Sequence, residues 1–481
     1  MKEYEIIVGL ETHVELATAT KIFCSCKNAF GSEVNANCCP VCAGLPGALP
    51  TLNEKVCDYA IKMGLATNCT INPVSKMDRK NYFYPDLPKA YQISQYDFPI
   101  CENGYVDVIL DEECNTKRIN LERIHIEEDA GKLIHDDAFD GTLVDLNRAG
   151  VPLIEIVTKP DFRNGAEAKA YLNTLKSILG YIGVSDCKMQ EGSIRCDVNL
   201  SVREKGIEKF GTRTEMKNIA TFSGVERAID YEAKRQIEIL ENGGKIKLET
   251  RKWDDAKGEN TLLRVKENEP DYRCFPDPDL ITIVIDEDRI ADIKNTIPEL
   301  PNAKLVRYMK ELGLPYDDAN LICLSSEKSD FFEKCLSISN CQPKNVANWI
   351  LGDISRILNE KRIEITETKL TPEKLSSMIE LIEKNIISNA AGKVIIEEIF
   401  FSDKTADDVV KEKSLAQISD DNALLDIVKS VLAKNEKAVA DYKNGKTNVA
   451  GFLVGQCMKE TKGKGNPAML RELLTAEIDK L

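Results

Sequence analysis

The hydrophobic pattern of this chain changes near residue 295, and that change limits the folds open to it. Upstream, short β-like runs such as "EIIVGLE" and "VPLIEIV" are interrupted by helical stretches, whereas helical spacing dominates after "TIPELP". Apolar side chains recur with a period of two in strands and about 3.6 in helices, so the two regions specify different architectures. We predict an α+β fold whose strands are confined to the N-terminal part.

Three domains are expected along the chain. The 481 residues exceed one ordinary core, because single cores stop growing at roughly 250–300 residues. The pattern places an α+β domain at 1–294, an all-α domain at 295–408 and a small all-α domain at 409–481, the second boundary falling at the charged segment "SDKTADDVVKEK".

Composition indicates a soluble, cytoplasmic protein. No apolar run approaches the ~20 residues of a membrane span, and the first residues do not resemble a signal peptide. Without an export signal, the sixteen cysteines are expected to be reduced thiols or metal ligands. The net charge of −15 argues against a general nucleic-acid coat protein.

A local RNA-binding surface remains possible at the C-terminus. Between residues 443 and 471, six cations face one acid, Glu460. These cations are Lys443, Lys446, Lys459, Lys462, Lys464 and Arg471. A basic segment on an acidic chain is a typical nucleic-acid footprint, although a solvated helix pair has the same composition.

Four cysteines predict a zinc site. Cys24 and Cys26 form C-x-C, and Cys39 and Cys42 form C-x-x-C after a loop of twelve residues. Two close thiol pairs suit tetrahedral zinc, and four protein ligands make the site structural. Cys38 adjoins Cys39 and is expected to point away. A redox pair and scattered buried cysteines are the alternatives.

Acids and histidines form a second candidate site. In "GLETHVEL", Glu11, His13 and Glu15 share one face of a strand, and "HIEED" places His125 beside Glu127 and Glu128. Neighbouring carboxylates repel unless solvent, a cation or basic groups compensate. One histidine with several carboxylates suits Mg²⁺ or Mn²⁺ held against phosphate. A solvated surface is the alternative for each cluster alone.

Cationic residues elsewhere could bind a polyphosphate opposite such a metal. They are Arg195, Arg213, Lys217 and Arg273, with Asp197 on the same strand as Arg195. The chain has no P-loop and no amidase motif, so any ATP site is unconventional.

Several stretches together resemble the GatB family, the B subunits of tRNA-dependent amidotransferases. They occur in the family's order along the whole chain. They are "GLETHVEL", "KNYFYPDLPKAYQISQYD", "RIHIEEDAGK", "DLNRAGVPLIEIV", "GSIRCDVNLSVR", "GTRTEMKN", "DYRCFPDPDL" and "GFLVGQCMKETKGKGNP".

The resemblance implies a function and partners. GatB-like proteins phosphorylate the side-chain carboxylate of Glu on tRNA(Gln) or Asp on tRNA(Asn) with ATP, and ammonia then displaces the phosphate. This makes the chain a ligase that forms a carbon–nitrogen bond with glutamine as nitrogen donor. Ammonia would come through a tunnel from an amidase, GatA, and a small GatC would complete a heterotrimer. The fold would be a β-rich cradle, a helical domain and a tail that touches tRNA.

The resemblance also implies the site residues. Glu11, His13 and Glu128 are the expected magnesium ligands, with Glu127 and Asp197 as further catalytic residues. The cations named above would bind ATP, and Lys459, Lys462 and Lys464 would bind tRNA. Some members lack the four cysteines, so zinc would support the fold and not the chemistry. This chain departs from the usual family pattern at Thr12, where valine is common.

Two other classes of protein are the alternatives: a non-catalytic zinc protein that binds RNA through its basic tail, and a free-standing amide ligase for a small metabolite. The first predicts an acid cluster without metal affinity, and the second predicts ammonia-dependent turnover without tRNA. The sequence does not decide between the two misacylated tRNAs as substrate.

Overall fold

The computed structural model describes residues 2–135, 140–189, 191–266, 271–417, 421–443, 446, 448–461 and 464–480, with only the backbone at 421–423. It divides into two compact units, Met1–Val306 and Arg307–Leu481. All strands lie in the first unit and the second is helical, which confirms the predicted α+β class.

The strands are short except for three long central ones. In chain order they are β1 Tyr4–Glu15, β2 Thr70–Ile71, β3 Val74–Ser75, β4 Asp78–Asn81, β5 Tyr91–Ser94, β6 Cys101–Glu102, β7 Tyr105–Ile109, β8 Thr116–Glu128, β9 Lys132–His135, β10 Thr142–Asp145, β11 Pro152–Thr158, β12 Ile194–Glu204, β13 Thr214–Lys217, β14 Glu249–Asp254, β15 Glu259–Val265, β16 Phe275–Pro276 and β17 Ile283–Val284.

The helices lie mainly after residue 286. They are α1 Glu54–Ala66, α2 Gly165–Tyr181, α3 Phe222–Glu241, α4 Glu287–Asn295, α5 Pro301–Lys310, α6 Tyr316–Cys323, α7 Ser326–Ile338, α8 Pro343–Trp349, α9 Ser355–Lys361, α10 Pro372–Glu383, α11 Asn389–Ile399, α12 Ala406–Lys413, α13 Asp421–Lys434, α14 Glu436–Lys443, α15 Val449–Glu460 and α16 Pro467–Ile478. A π-turn at Ile350–Ile354 joins α8 to α9, and a 3₁₀ turn occupies Ile365–Glu367.

A ten-stranded sheet organises the first unit. Its order is β15-β14-β13-β12-β1-β11-β8-β6-β2, with β7 also paired to β8. Every pair is antiparallel except β13 and β14. Small sheets β10-β9, β16-β4-β5 and β17-β3 flank it.

The central strand β1 has one apolar and one charged face. Leu10, Thr12 and Val14 are buried in the core, whereas Glu11 and His13 point to the other side. Alternation along a strand produces this division. Helices α2 and α3 pack together, and α3 also contacts β12 and β15. The apolar face is therefore covered, and the charged face is left for a cleft.

The second unit contains a separate core at its C-terminal end. The buried side chains of α13, α15 and α16 include Leu424, Leu453 and Leu470. The predicted boundary at 408 falls inside α12, which packs on α10 and α11. No helix in the described ranges is long and apolar enough to cross a membrane.

Thr12 places a hydroxyl in the core. The residue is fully buried, and its Oγ1 makes no hydrogen bond to nitrogen or oxygen within the described chain. Its one polar interaction is with the thiol of Cys196, which lies opposite it in the β1–β12 register. Thr12 therefore carries an almost uncompensated desolvation cost.

We predict that Thr12→Val raises the free energy of unfolding by about 1 kcal/mol, because it replaces a poorly paired buried hydroxyl with a methyl group of similar size. Chemical denaturation of both proteins measures the change. Thr12→Ala is the control, since it removes the hydroxyl but leaves a cavity and should not stabilise. Equal or lower stability of Thr12→Val would show that the hydroxyl is adequately paired.

Candidate functional site

The charged face of the sheet forms one wall of a cleft of about 710 Å³, a size common for ligand sites. Residues from five neighbouring strands and from the segment before β16 line it. Among them are Glu11, His13, Lys80, Tyr96, His125, Glu155, Asp197, Arg213, Glu215, Lys217, Arg264, Lys266, Asp271, Tyr272, Arg273 and Cys274.

A first acid–histidine group spans β1, β8 and β11. His13 Nε2 lies 3.4 Å from Glu127 Oε1 and 3.6 Å from Glu155 Oε2. The register places His13 opposite Glu155, and Glu155 opposite His125, so three strands contribute to one row. Ligand atoms of His13, Glu127 and Glu155 all lie within 4.8 Å of one another. Such spacing allows one cation to bind all three.

Burial makes these carboxylates electrostatically demanding. Burial raises the pKa of Glu127 above its usual value. Burial also opposes ionisation of Glu155, but His125 and then His13 outweigh it and hold the pKa of Glu155 well below its usual value. His125 Nε2 is 3.1 Å from Glu155 Oε2, whereas His125 Nδ1 is buried without a partner among the described groups. Nε2 is therefore the nitrogen that carries the proton.

A second acid group lies on β1, β12 and β13. Ligand atoms of Glu11, Asp197 and Glu215 also lie within 4.8 Å of one another. Here cations are already present: Lys217 pairs with Asp197 and with Glu215, the latter at 3.0 Å. Lys266 Nζ adds a contact of 2.6 Å to Glu215 Oε2.

The lysines change the ionisation of this second group. Burial opposes it, but Lys217 and Lys266 lower the pKa of Glu215 to about 2. Glu11 differs: burial, then repulsion from Glu155 and Asp197, raise its pKa. Its Oε1 accepts a hydrogen bond of 2.9 Å from Asn199 Nδ2. Glu11 thus lies between an uncompensated and a compensated acid group.

Glu128 is not brought together with Glu11 and His13. Glu127 and Glu128 are consecutive on β8, so they point to opposite sides of the sheet. Glu128 pairs with Lys89, and its Oε1 accepts from the Ile93 N–H at 2.8 Å. The residue holds β5 against β8 on the side away from the cleft.

The predicted cations separate in the same way. Arg213, Lys217 and Arg273 line the cleft, as does Asp197. Arg195 does not, and its Nη2 donates to Asp129 Oδ2 at 2.7 Å.

Glu155 and Glu215 were missed by reasoning from the sequence. Glu155 is a lone acid in "VPLIEIV", a strand that is buried at every position. A charge inside an apolar strand was an available signal, because it requires a partner. Glu215 carried no comparable signal, since its role depends on the pairing of β12 with β13.

The four predicted cysteines converge. Ligand atoms of Cys24, Cys26, Cys39 and Cys42 lie within 4.8 Å of one another. The Cys39 N–H donates to Cys42 Sγ at 3.1 Å, and Gly44 follows with φ +64°, a conformation suited to glycine. Cys38 does not point away as expected, because its Sγ lies 3.9 Å from Cys42 Sγ.

The cluster favours thiolate at Cys42. A hydrogen bond from Cys24, the Cys39 N–H and the nearby Lys21 ammonium outweigh burial and lower the pKa of Cys42 to about 4, whereas the pKa of Cys24 is raised. Lys21 is fully buried, and its Nζ donates to Asn37 O at 2.7 Å and Leu146 O at 3.1 Å. A thiolate donor set with a cation nearby fits zinc.

Comparison with known proteins places this geometry in a family. A model of the GatB/GatE catalytic domain matches residues 6–291, and a model of the GatB domain matches residues 330–478. The first match contains both acid groups and all four cysteines. The chain belongs to the GatB/GatE family.

Close relatives share its whole length. A protein of Caldicellulosiruptor saccharolyticus is 55% identical over 100% of both chains, and one of Caldanaerobacter subterraneus subsp. tengcongensis is 54% identical over 99% of this chain and 100% of its own. A Clostridium acetobutylicum protein is 52% identical over 99% of this chain and 100% of its own. All three are named as the B subunit of aspartyl/glutamyl-tRNA(Asn/Gln) amidotransferase.

Two of the three tail lysines are described in this GatB/GatE chain. Lys459 is exposed near the end of α15, and Lys464 is half-buried before α16. Lys462 lies outside the described residues.

We predict that the purified protein carries about one zinc per chain and that Cys39→Ser weakens zinc binding more than about tenfold, since a ligand is removed. Metal analysis and competition with a chromophoric chelator measure both. Cys38→Ser is the matched control, because Cys38 is outside the four-ligand group, and should retain zinc. Zinc-free wild-type protein prepared without chelator would exclude the site.

Proposed function

We propose that this protein is the B subunit of a tRNA-dependent amidotransferase. It would use ATP to phosphorylate the side-chain carboxylate of Glu on tRNA(Gln), Asp on tRNA(Asn) or both, and ammonia would then form the amide. The observation that carries the proposal is the pairing, in one cleft, of the His13–Glu127–Glu155 group with a wall of lysines and arginines. The names of the relatives point to the same activity.

The first acid group is the better candidate for Mg²⁺. Its two buried carboxylates have only histidines in contact, whereas the second group already contains Lys217 and Lys266. A cation at His13, Glu127 and Glu155 would supply the missing positive charge, with Glu11 close by and in place of the expected Glu128. When bound, Mg²⁺ would neutralise and orient phosphate oxygens.

The opposite side of the cleft would bind the polyphosphate. Lys217, Arg264 and Lys266 approach from β13 and β15, and Arg213 and Arg273 from the flanking segments. Fixed cations stabilise the charge of a transferring phosphoryl group without reorganisation. The substrate carboxylate would lie between the acid and the cationic sides.

Phosphorylation answers a definite chemical need. A carboxylate is a poor electrophile because ammonia would have to displace oxide. An acyl phosphate offers phosphate as the leaving group, so the carbon–nitrogen bond can form. The cleft's task is then mainly positioning and charge neutralisation. A ligase of this kind uses glutamine as its nitrogen donor.

Partners would complete the reaction. The chain contains no amidase motif in its sequence, so ammonia would come from a separate amidase, GatA, with GatC as the third member of a cytoplasmic heterotrimer. The relatives are named as the B subunit of their enzyme, which agrees with a multi-subunit assembly. The cysteine cluster would hold structural zinc, and Lys459, Lys462 and Lys464 would contact tRNA.

We predict that His13→Ala and Glu155→Ala each lower tRNA-dependent ATP cleavage about a thousandfold, because loss of cation-mediated charge neutralisation costs several kcal/mol of barrier. The assay supplies ammonium directly, which bypasses the amidase. Mn²⁺ binding, followed by its paramagnetic signal, should weaken in both variants without loss of folding.

Glu204→Ala is the control for these variants. Glu204 is an exposed acid at the far end of β12, where it pairs with Lys2. Its removal should change stability by no more than about 0.5 kcal/mol and leave turnover unchanged. Near-wild-type cleavage by His13→Ala and Glu155→Ala would remove this group from the mechanism.

We predict that neutralising Lys459 and Lys464 together weakens tRNA binding and lowers its salt dependence by roughly one logarithmic unit for each phosphate that is no longer neutralised, because fewer counterions are released. Binding titrations at several salt concentrations measure both. Lys480→Ala, at the opposite end of α16, is the charge-matched control. An unchanged salt slope in the double variant would place the tRNA contacts elsewhere.

A further inference from the structure

A buried carboxylate on α3 faces the reverse side of the sheet, away from the cleft. Glu232 is fully buried, yet four hydrogen bonds reach its two oxygens. Arg235 donates through Nε at 2.8 Å and Nη2 at 2.6 Å, and Gln236 Nε2 and Asn260 Nδ2 each donate at 2.9 Å. Burial opposes its ionisation, but Arg235 and Gln236 outweigh burial and lower the pKa of Glu232.

This carboxylate is the centre of a network that joins α3 to both strands of the β14–β15 hairpin. Arg251 on β14 donates to Asn260 Oδ1 at 2.6 Å and to Asn260 O at 3.0 Å. Glu249 accepts from Arg251 Nη1 at 2.9 Å and from Arg235 Nη2 at 3.0 Å. Glu232 therefore bonds β15 directly through Asn260 and reaches β14 through it.

The network lies next to an irregularity in the hairpin. Trp253 pairs with Asn260, and regular pairing continues until the register shifts between Thr250 and Arg251. Beyond the shift, Thr250 lies opposite Arg264. A β-bulge of this kind changes which side chains face each side of the strand.

The bulge determines which cations enter the cleft. After it, Arg264 Nε lies 3.5 Å from Thr250 Oγ1, and Lys266 Nζ reaches Glu215 Oε2. Both side chains line the cleft. A slip of one residue would turn them to the opposite face. The hairpin is at the edge of the sheet, so β15 has one strand neighbour and needs another support.

We infer that Glu232 is a positioning residue for nucleotide binding: through Asn260 and Arg251 it fixes the hairpin register that directs Arg264 and Lys266 into the cleft. This rests on the proposed function, because it takes the polyphosphate of ATP as the ligand of those two cations. Glu232 itself touches no group in the cleft, since it lies on the reverse face.

Glu232→Gln in the full-length protein is the first test, because it keeps the volume and removes the charge. Asn260→Ser tests the same link from β15, should the first variant fold poorly. Glu226→Gln is the matched control: it lies on the same helix but pairs with Lys169 at the surface, at 2.8 Å. Calorimetry measures MgATP affinity, paramagnetic titration measures Mn²⁺ affinity without nucleotide, and hydrogen exchange follows residues 249–266.

We expect MgATP affinity to fall roughly tenfold in Glu232→Gln and Asn260→Ser, comparable to losing one charged hydrogen bond. Hydrogen exchange in the hairpin should accelerate. Mn²⁺ affinity should stay unchanged, because its proposed ligands are on β1, β8 and β11. Glu226→Gln should match the wild type in all three.

Unchanged MgATP affinity in both variants would overturn the inference, as would an equal fall in Mn²⁺ affinity, which indicates a general structural role. A wild-type protein that binds Mn²⁺ but no MgATP would instead overturn the proposed function and, with it, the nucleotide role of Glu232. The outcomes therefore separate the two failures.

Discussion

Two buried carboxylates, those of Glu127 and Glu155, impose the requirement that organises the cleft. Carboxylates removed from water need opposite charge or hydrogen-bond donors. The groups in contact with them include His13 and His125, while Lys80 acts at longer range. All four contacting side chains project from paired strands, so their spacing is fixed by main-chain hydrogen bonds and not by loop conformation. A rigid, charge-deficient group of this kind is prepared for a cation.

The width of the sheet then separates opposite charges along one face. The acids concentrate on β1, β8 and β11, and the cations approach from β13 and β15. Glu11 lies at the junction, where its raised pKa reflects burial and the repulsion of acids on either side. This gradient gives a phosphorylated substrate a defined orientation, with its anionic end toward the lysines.

The sequence predicted the features that depend on local pattern. The α+β class followed from the change in periodicity, the two faces of β1 from alternation, and the cysteine group from spacing. Long-range pairing was beyond it. Arg195 turned out to pair with Asp129, and Glu215 entered the cleft through the β12–β13 register. The choice between Glu127 and Glu128 was open to local reasoning, because His125 and Glu127 share a strand face.

The position of Glu128 acquires a meaning beside that of Glu232. Both carboxylates are buried on the reverse side of the sheet, each is paired with a cation, Lys89 or Arg235, and each binds a neighbouring element. Glu128 supports β8, which carries Glu127, and Glu232 supports the hairpin that carries Lys266. A buried ion pair contributes little net stability but is costly to break on one side. Such pairs penalise alternative registers, and here they lie behind the strands whose register the chemistry needs.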